Sequence, residues 1–424
     1  MGALRAGVAV VDITPPPGLL LAGFAARTEP ATGAHDPLTV RAVVVGDTAI
    51  VVADVIGIHE AMSARIRERC PLPATNVIVA ATHTHGAPVS MPDRLSAEAD
   101  PAFLQALEDG CVAALTAAVA NAVPAELSAG LGADPDVARN RRHADGPLDR
   151  AVPVLWLRDT TGRLLAVIVS YACHPTVLGA DNRLMTADFP HFVRRTIEAA
   201  HPGAVAIFLN GCTGDANIGH TAQASVTLNA SATRTFDNAE RLGRRIAEAA
   251  LLAPETPLDA TATAAEHWVE LTLERREHDL PALAAAWEHE ALTAEPVRAT
   301  VLRHWASWAH RNAGQPAGNW VGRVSLIEWG GVPIVALPGE IFAETGLAVR
   351  AACNGRPALV LSYADGTPGY IPPASEFGFG GYEVDEAHRF IGMPGAFAPG
   401  SAERLAEAAK ALLGLPKPAA TPTK

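Results

Sequence analysis

The apolar residues of this chain come in short runs that end alike. "NVIVA" leads into "ATHTHGAP", "LLAVIVSYA" into "CHP", "AVAIFLN" into "GCTGDAN", "VPIVAL" into "PGE" and "ALVLS" into "YADGTPGY". Each is a strand-sized stretch closed by Gly or Pro, and just beyond it stands a side chain able to hold a metal or a proton: His83 and His85, His174, Asp215, Glu340 and Tyr370. In α/β sheets, ligands bind in the crevice outside strand ends, where the backbone opens and side chains converge. Five such endings predict one site at one edge of a sheet.

Two segments carry hairpin signals. "RAVVVGDTAIVVADVIGI" turns at Gly46-Asp47, and "PVLWLRDTTGRLLAVIVSYACH" turns between Asp159 and Gly162. Helical periodicity marks "AEADPAFLQALEDGCVAALTAAVANAV", "DFPHFVRRTIEAA", "NAERLGRRIAEAALLA" and "SAERLAEAAKALLG", each with a polar start. Strands interleaved with helices predict an α/β fold: a mixed, twisted sheet with flanking helices. No fixed-period repeat of the solenoid or propeller kind is evident. Residues 278–313 read as a helical pair without strand character, inserted into a single domain spanning 1–415. In its second helix Val297, Val301, Trp305 and Trp308 share a face, which either packs on the main body or presents tryptophan to a substrate. The Pro-rich end, 416–424, is expected to be disordered.

The 424 residues are 49% hydrophobic and 18% charged, with a formal net charge of −12. That profile is globular, and the basic clusters at Arg139 to Arg142 and Arg244 to Arg245 are too small to serve a nucleic acid or an anionic membrane. The expected partner is a small-molecule substrate, with no stable membrane association. The N-terminal "MGALRAGVAVVDITPPPG" is too short and too polar for a leader or a span, so a cytoplasmic location is expected. Five scattered cysteines without a Cys-x-x-Cys pair read as reduced thiols.

His83 and His85 are one residue apart on an extended chain, so they point the same way. Both could bind one metal, one could bind it while the other meets substrate, or neither could. Imidazoles plus a carboxylate suit zinc, which in catalytic sites keeps a position for water, and a Tyr370 oxygen could be a further ligand.

The ordered series "DITPP", "GAHDPLTVRAVVV", "ATHTHGAP", "NRR", "YACHPTVLGADNRLMTADFP", "FLNGCTGDANI", "LPGEIFAETGLAVR" and "GTPGYIPP" resembles the catalytic domain of neutral ceramidases. The resemblance runs to about residue 385 and is weakest over the helical pair. It implies that His83, His174, Glu340 and Tyr370 bind zinc and that His85 faces substrate. It also implies that Asn140 and Arg141 orient substrate and that Asp188 supports the ligands from outside. Three departures stand out. Where the family carries a catalytic serine this chain has Gly211, followed by Cys212 and Thr213. Neither the family's secretion signal nor its C-terminal β-sandwich is expected in this chain. Ceramide is therefore not the expected substrate.

The resulting expectation is a zinc hydrolase that cleaves a linear or cyclic amide with activated water. In it His85 is the acid/base and Arg141 stabilises the oxyanion or holds a carboxylate. Rival expectations are a zinc-dependent lactone or ester hydrolase, a His-x-His amidohydrolase barrel, and a zinc-containing binding protein without turnover. The early hairpins speak against the barrel.

Overall fold

The computed structural model describes residues 4–92, 94, 98–222, 228 and 231–414. The tail expected to be disordered lies outside the described residues. Eight strands carry the larger sheet: β1 (Arg5–Asp12), β2 (Thr39–Val45), β3 (Thr48–Ala53), β4 (Val77–Ala81), β5 (Val123–Gly132), β6 (Val152–Asp159), β7 (Leu164–Tyr171) and β8 (Val205–Asn210). They run in the order β8-β7-β6-β5-β1-β2-β3-β4, and Thr256–Pro257 adds a ninth, short strand on β5. A second, five-stranded sheet contains β9 (Ala262–Glu274), β10 (Asn319–Trp329), β11 (Val332–Ala336) and β12 (Leu359–Leu361), with Ala396–Phe397 pairing on β9.

The sheets lie face to face on a shared core. Val43, Ile50, Ile78, Ile168 and Ile207 of the larger sheet meet Ile327, Trp329, Ile334 and Leu359 of the smaller. Each such aliphatic side chain contributes about 1.5–3 kcal/mol by leaving water. On the other face of the larger sheet, α1 (Glu60–Arg69) and α2 (Pro101–Ala120) cover one half. The remaining half is covered by α3 (Phe189–Ala200) and α4 (Phe236–Leu251). With strands buried on both faces, the runs read as continuously apolar. The mixed α/β sheet read from the sequence is what the chain forms.

α2 is long and apolar enough to cross a membrane, a feature the sequence reading passed over. Here its Phe103, Leu107, Cys111 and Leu115 pack on the sheet. Its Glu108 pairs with Arg65 and Arg69 of α1. Asp100 caps the helix by accepting from Phe103 N, and Pro101 starts it.

The helical pair is α5 (Leu280–Ala291) and α6 (Pro296–Asn312). Next come α7 (Ala343–Ala351), the short α8 (Ala387–Ile391) and α9 (Ser401–Gly414). α7 and α9 cover the outer face of the second sheet.

One unit occurs three times. The hairpin β2–β3 leads through α1 to β4, parallel to β3. The hairpin β6–β7 leads through α3 to β8, parallel to β7. The hairpin β10–β11 leads through α7 to β12, parallel to β11. The carboxyl ends of these units meet. Ala81 N donates to Tyr363 O at 3.1 Å, Asp365 N to Val79 O at 2.7 Å and Ser362 N to Asn210 O at 3.3 Å. The segment after β12 thus threads between the ends of β4 and β8 and joins the two sheets.

Candidate metal centre and its cavity

Past the end of β4 the chain is pinned by Thr82 N to Ala53 O and His83 N to Val55 O, both at 3.0 Å. His83 takes φ = 65°, an uncommon conformation for a residue with a Cβ, and its ring turns inward. Its Nδ1 lies 2.5 Å from Ile56 O. His174, past β7, sets Nδ1 2.8 Å from Thr213 O. A carbonyl oxygen can only accept, so both Nδ1 atoms carry hydrogen, and in the neutral imidazoles both Nε2 atoms then carry lone pairs. Those two Nε2 atoms face each other at 2.8 Å.

Glu340 Oε2 stands 3.4 Å from each Nε2, buried and without a hydrogen-bond partner. Three lone-pair-bearing atoms pointed together repel unless a cation lies among them. Zinc bonds of about 2.0–2.1 Å would set tetrahedral neighbours about 3.3 Å apart, close to the two 3.4 Å spacings to Glu340 and wider than the 2.8 Å between the imidazoles.

His85 brings a third imidazole, its Nε2 3.4 Å from that of His83. The ligand atoms of His83, His85 and His174 all lie within 4.8 Å of one another. Burial, then the His83 and His174 rings, hold the His85 pKa well below 6.5. Burial and then His83 hold His174 down to about 4. Both are therefore neutral donors near pH 7.

Tyr370 reaches the site through register. Glu340–Ile341 pairs in parallel with Tyr370–Ile371, and Glu340 is opposite Tyr370. Arg141 Nη2 donates to Tyr370 Oη at 2.9 Å and to Gly214 O at 2.8 Å, while its Nε meets Glu383 Oε1 at 2.9 Å. Its neighbour Arg142 pairs with Glu376 and Glu383 instead.

The remaining expected residues have structural partners. Asn140 donates to Asp215 Oδ2 at 2.8 Å and to Pro147 O, and accepts from Arg142 N and His143 N. Asp215 in turn accepts from Ala343 N at the start of α7. Asp188 caps α3, accepting from Phe189 N at 2.6 Å and Leu178 N at 3.0 Å. The acceptors that support His83 and His174 are instead Ile56 O and Thr213 O. At Gly211 an added Cβ would lie 2.9 Å from Ala172 Cβ, so a side chain there has no room. Cys212 is buried, its thiol pushed far up by burial. Thr213 Oγ1 bonds Tyr363 Oη at 2.6 Å.

Tyr363 is a site residue the sequence reading missed. Its ring stacks on His83 at 3.9 Å between centroids, 18° from parallel. It stands in the quoted "YADGTPGY", seven positions before Tyr370, but only the threading of that loop between the sheets puts it on His83.

Above the histidines opens a cavity of about 400 Å³. His83, His85 and Glu340 form its floor, and the loop from Leu20 to Thr28 forms one side. The loop bends at Gly23 (φ = 96°), where an added Cβ would lie 2.3 Å from His85 Nδ1, so only glycine lets the imidazole in. α6 forms the other side with Val297, Val301 and Trp305. The face read from the sequence is divided: these three meet the cavity, while Trp308 is fully buried and donates to Met393 O at 2.7 Å.

The fold is thus a layered α/β sandwich whose strand ends gather histidines and a carboxylate under an apolar cavity. Residues 4–221 match the family of neutral/alkaline non-lysosomal ceramidase, N-terminal, and the chain belongs to that family. The neutral ceramidase from Pseudomonas aeruginosa superposes with a TM-score of 0.72 at 20% identity, over 99% of this chain and 76% of that one. A ceramidase complexed with C2 gives 0.71 at 19% identity, over 97% and 75%. At such identity the likeness is one of fold. Among curated proteins none matches this chain.

Proposed function

We propose that this chain is a zinc-dependent hydrolase that opens the C–N bond of a small acylated or cyclic amide, with ceramide itself a poor substrate. The observation that carries the reading is the set of facing lone pairs on His83 Nε2, His174 Nε2 and Glu340 Oε2, at 2.8–3.4 Å beneath an apolar cavity. Zinc, held by His83, His174, Glu340 and Tyr370, would supply Lewis acidity and a water activated near neutral pH. His85 lines the cavity and serves as the proton carrier at Nε2, taking a proton from the attacking water and handing it to the leaving nitrogen. Arg141 keeps the Tyr370 oxygen in place and lends positive charge to that side of the site. The cavity, about 400 Å³, is at the small end of ligand pockets and favours a compact substrate over a two-chain sphingolipid.

The test is metal analysis of the purified protein together with a panel of short-chain amides, lactams, lactones, esters and ceramide, with and without chelator. Stoichiometric zinc and chelator-sensitive amide turnover are expected. Preference for lactones or esters would change the bond assigned and leave the metal. Folded, metal-free protein with undiminished turnover would end the zinc reading, and zinc-loaded protein inert on the whole panel would favour a binding role.

A further inference from the structure

Arg27 stands in the cavity wall and is only 6% exposed. Its guanidinium donates to Asn182 O at 3.1 Å, and to Ala22 O and His85 O at 2.5 Å each. Its Nε is buried without an acceptor. Among the described residues no carboxylate forms an ion pair with it. Asp181 attracts it only from farther off, and burial holds its pKa down to about 9. Carbonyl dipoles solvate such a charge without neutralising it, and buried cations ordinarily have an anionic partner.

A second cation shares the spot. Arg27 and Arg234 both lie over the Phe24 ring, 5.0 Å and 5.7 Å from its centroid, and Phe24 itself packs on His85 at 5.0 Å. Burial depresses Arg234 as well. The cavity therefore has a corner that carries the Arg27 charge directly beside His85, while Arg234 lies behind on the Phe24 ring and is drawn by Asp181 and Asp188.

We propose that this corner binds a carboxylate on the substrate, making the preferred substrates anionic amides such as N-acyl amino acids, with Arg27 the residue that sets the preference. The inference rests on the hydrolase reading above. Water adds its oxygen to the acyl carbon, the C–N bond breaks, and the protons released end on the leaving nitrogen, giving a carboxylate and an ammonium group. The carboxylate held at Arg27 is a spectator. The three carbonyl bonds leave Arg27 the Nε hydrogen and one on Nη1, so it can meet a carboxylate as a charged donor while its carbonyl contacts hold it in place.

The experiment uses two matched pairs on the zinc-loaded enzyme. N-hexanoylglycine against N-hexanoylethanolamine places the charge on the amine side; N-butylsuccinamic acid against N-butylpentanamide places it on the acyl side. The wild type should favour the charged member of one pair about ten- to a hundredfold in kcat/KM, as one charge-assisted contact allows. Arg27→Gln keeps a donor for the carbonyls and removes the charge, so that ratio should collapse; Arg27→Lys should restore part of it. A variant that slows both members equally, with the ratio intact, marks Arg27 as a loop brace and overturns the proposal. Calorimetric binding of the same pairs to zinc-loaded His85→Ala protein separates the two readings. Arg27-dependent discrimination without turnover in the wild type keeps the carboxylate site and removes the hydrolase. Turnover without Arg27-dependent discrimination keeps the hydrolase and overturns the site.

Discussion

At the floor of the cavity and just beneath it, His83 and His174 each fix Nδ1 on a backbone carbonyl, Ile56 O and Thr213 O, and Glu340 is held in register with Tyr370 by strand pairing. On its wall, α6 presents Val297, Val301 and Trp305 through side-chain packing. The floor is positioned by main chain that two sheets lock together, so it tolerates few replacements, and under the proposed function it would set the chemistry. The wall is positioned by rotamers on a helix, so it can be recut without moving His83, His174 or Glu340, and it would set the choice of substrate. If this contrast holds, variants of the floor should change metal content and rate together, and variants of the wall should change selectivity alone.

The largest effects belong to the floor. His83→Ala and His174→Ala should each lose bound zinc and at least about 10³-fold in kcat/KM, since a metal supplies several kcal/mol of transition-state stabilisation. His85→Ala should keep its zinc and lose about 10²–10⁴-fold, the range for one acid/base group. Metal analysis beside steady-state kinetics decides this. If His85→Ala comes out zinc-free, the third imidazole is a ligand and the division of labour between the two histidines fails.

Next comes the brace beneath the floor. Asp365 accepts from Ser63 Oγ at 2.9 Å, Val79 N at 3.2 Å and Ser325 Oγ at 3.1 Å, and pairs with Arg323 at 2.5 Å. The two side chains are 1% and 0% exposed, so neither can turn to water when the other is lost. Asp365→Leu should cost about 3–5 kcal/mol in denaturant unfolding, because it takes the acceptor from Ser63 Oγ, Val79 N and Ser325 Oγ and leaves the buried Arg323 with Glu266, at 2.7 Å, as its one remaining carboxylate. A loss below about 1 kcal/mol, the scale of an exposed pair, would mean that the joint between the sheets does not hold the floor.

Trp305→Ala tests the wall. It should leave zinc content unchanged and shift the preferred acyl length, with kcat/KM for the best short substrate falling at least about tenfold, since a single methylene of pocket fit is already worth that much. Loss of metal in this variant would erase the distinction between wall and floor.

The floor was largely legible in the sequence, and the wall was not. Apolar runs closed by Gly or Pro announce strand ends, and the ends of β4, β7 and β11 carried His83, His174 and Glu340 in plain view. Both hairpins could be read because their turn residues are local. Tyr363 could not, since its stacking on His83 depends on a crossing between two sheets that no local spacing encodes. Nor could the threefold unit be seen, because insertions as different as α2 and the α5–α6 pair separate its copies and destroy any fixed period. The α6 face announced burial, but apolar periodicity does not distinguish packing on a core from lining a cavity.

Cys212 bears on the contrast with the smallest expected effect. It follows Gly211 in the loop past β8, close to the floor in sequence, and a thiol there invites the role of a nucleophile. Its surroundings argue otherwise. It is 1% exposed, and an added Cβ on Gly346 of α7 would come within 2.9 Å of its Sγ, so the thiol is wedged between loop and helix. Burial pushes its pKa far up, which removes the thiolate that attack would need. Cys212→Ala should therefore keep its zinc and turn over within a few-fold of the wild type, with a stability loss of about 1 kcal/mol for the small cavity. Loss of turnover with zinc still bound would move the nucleophile from water to the protein.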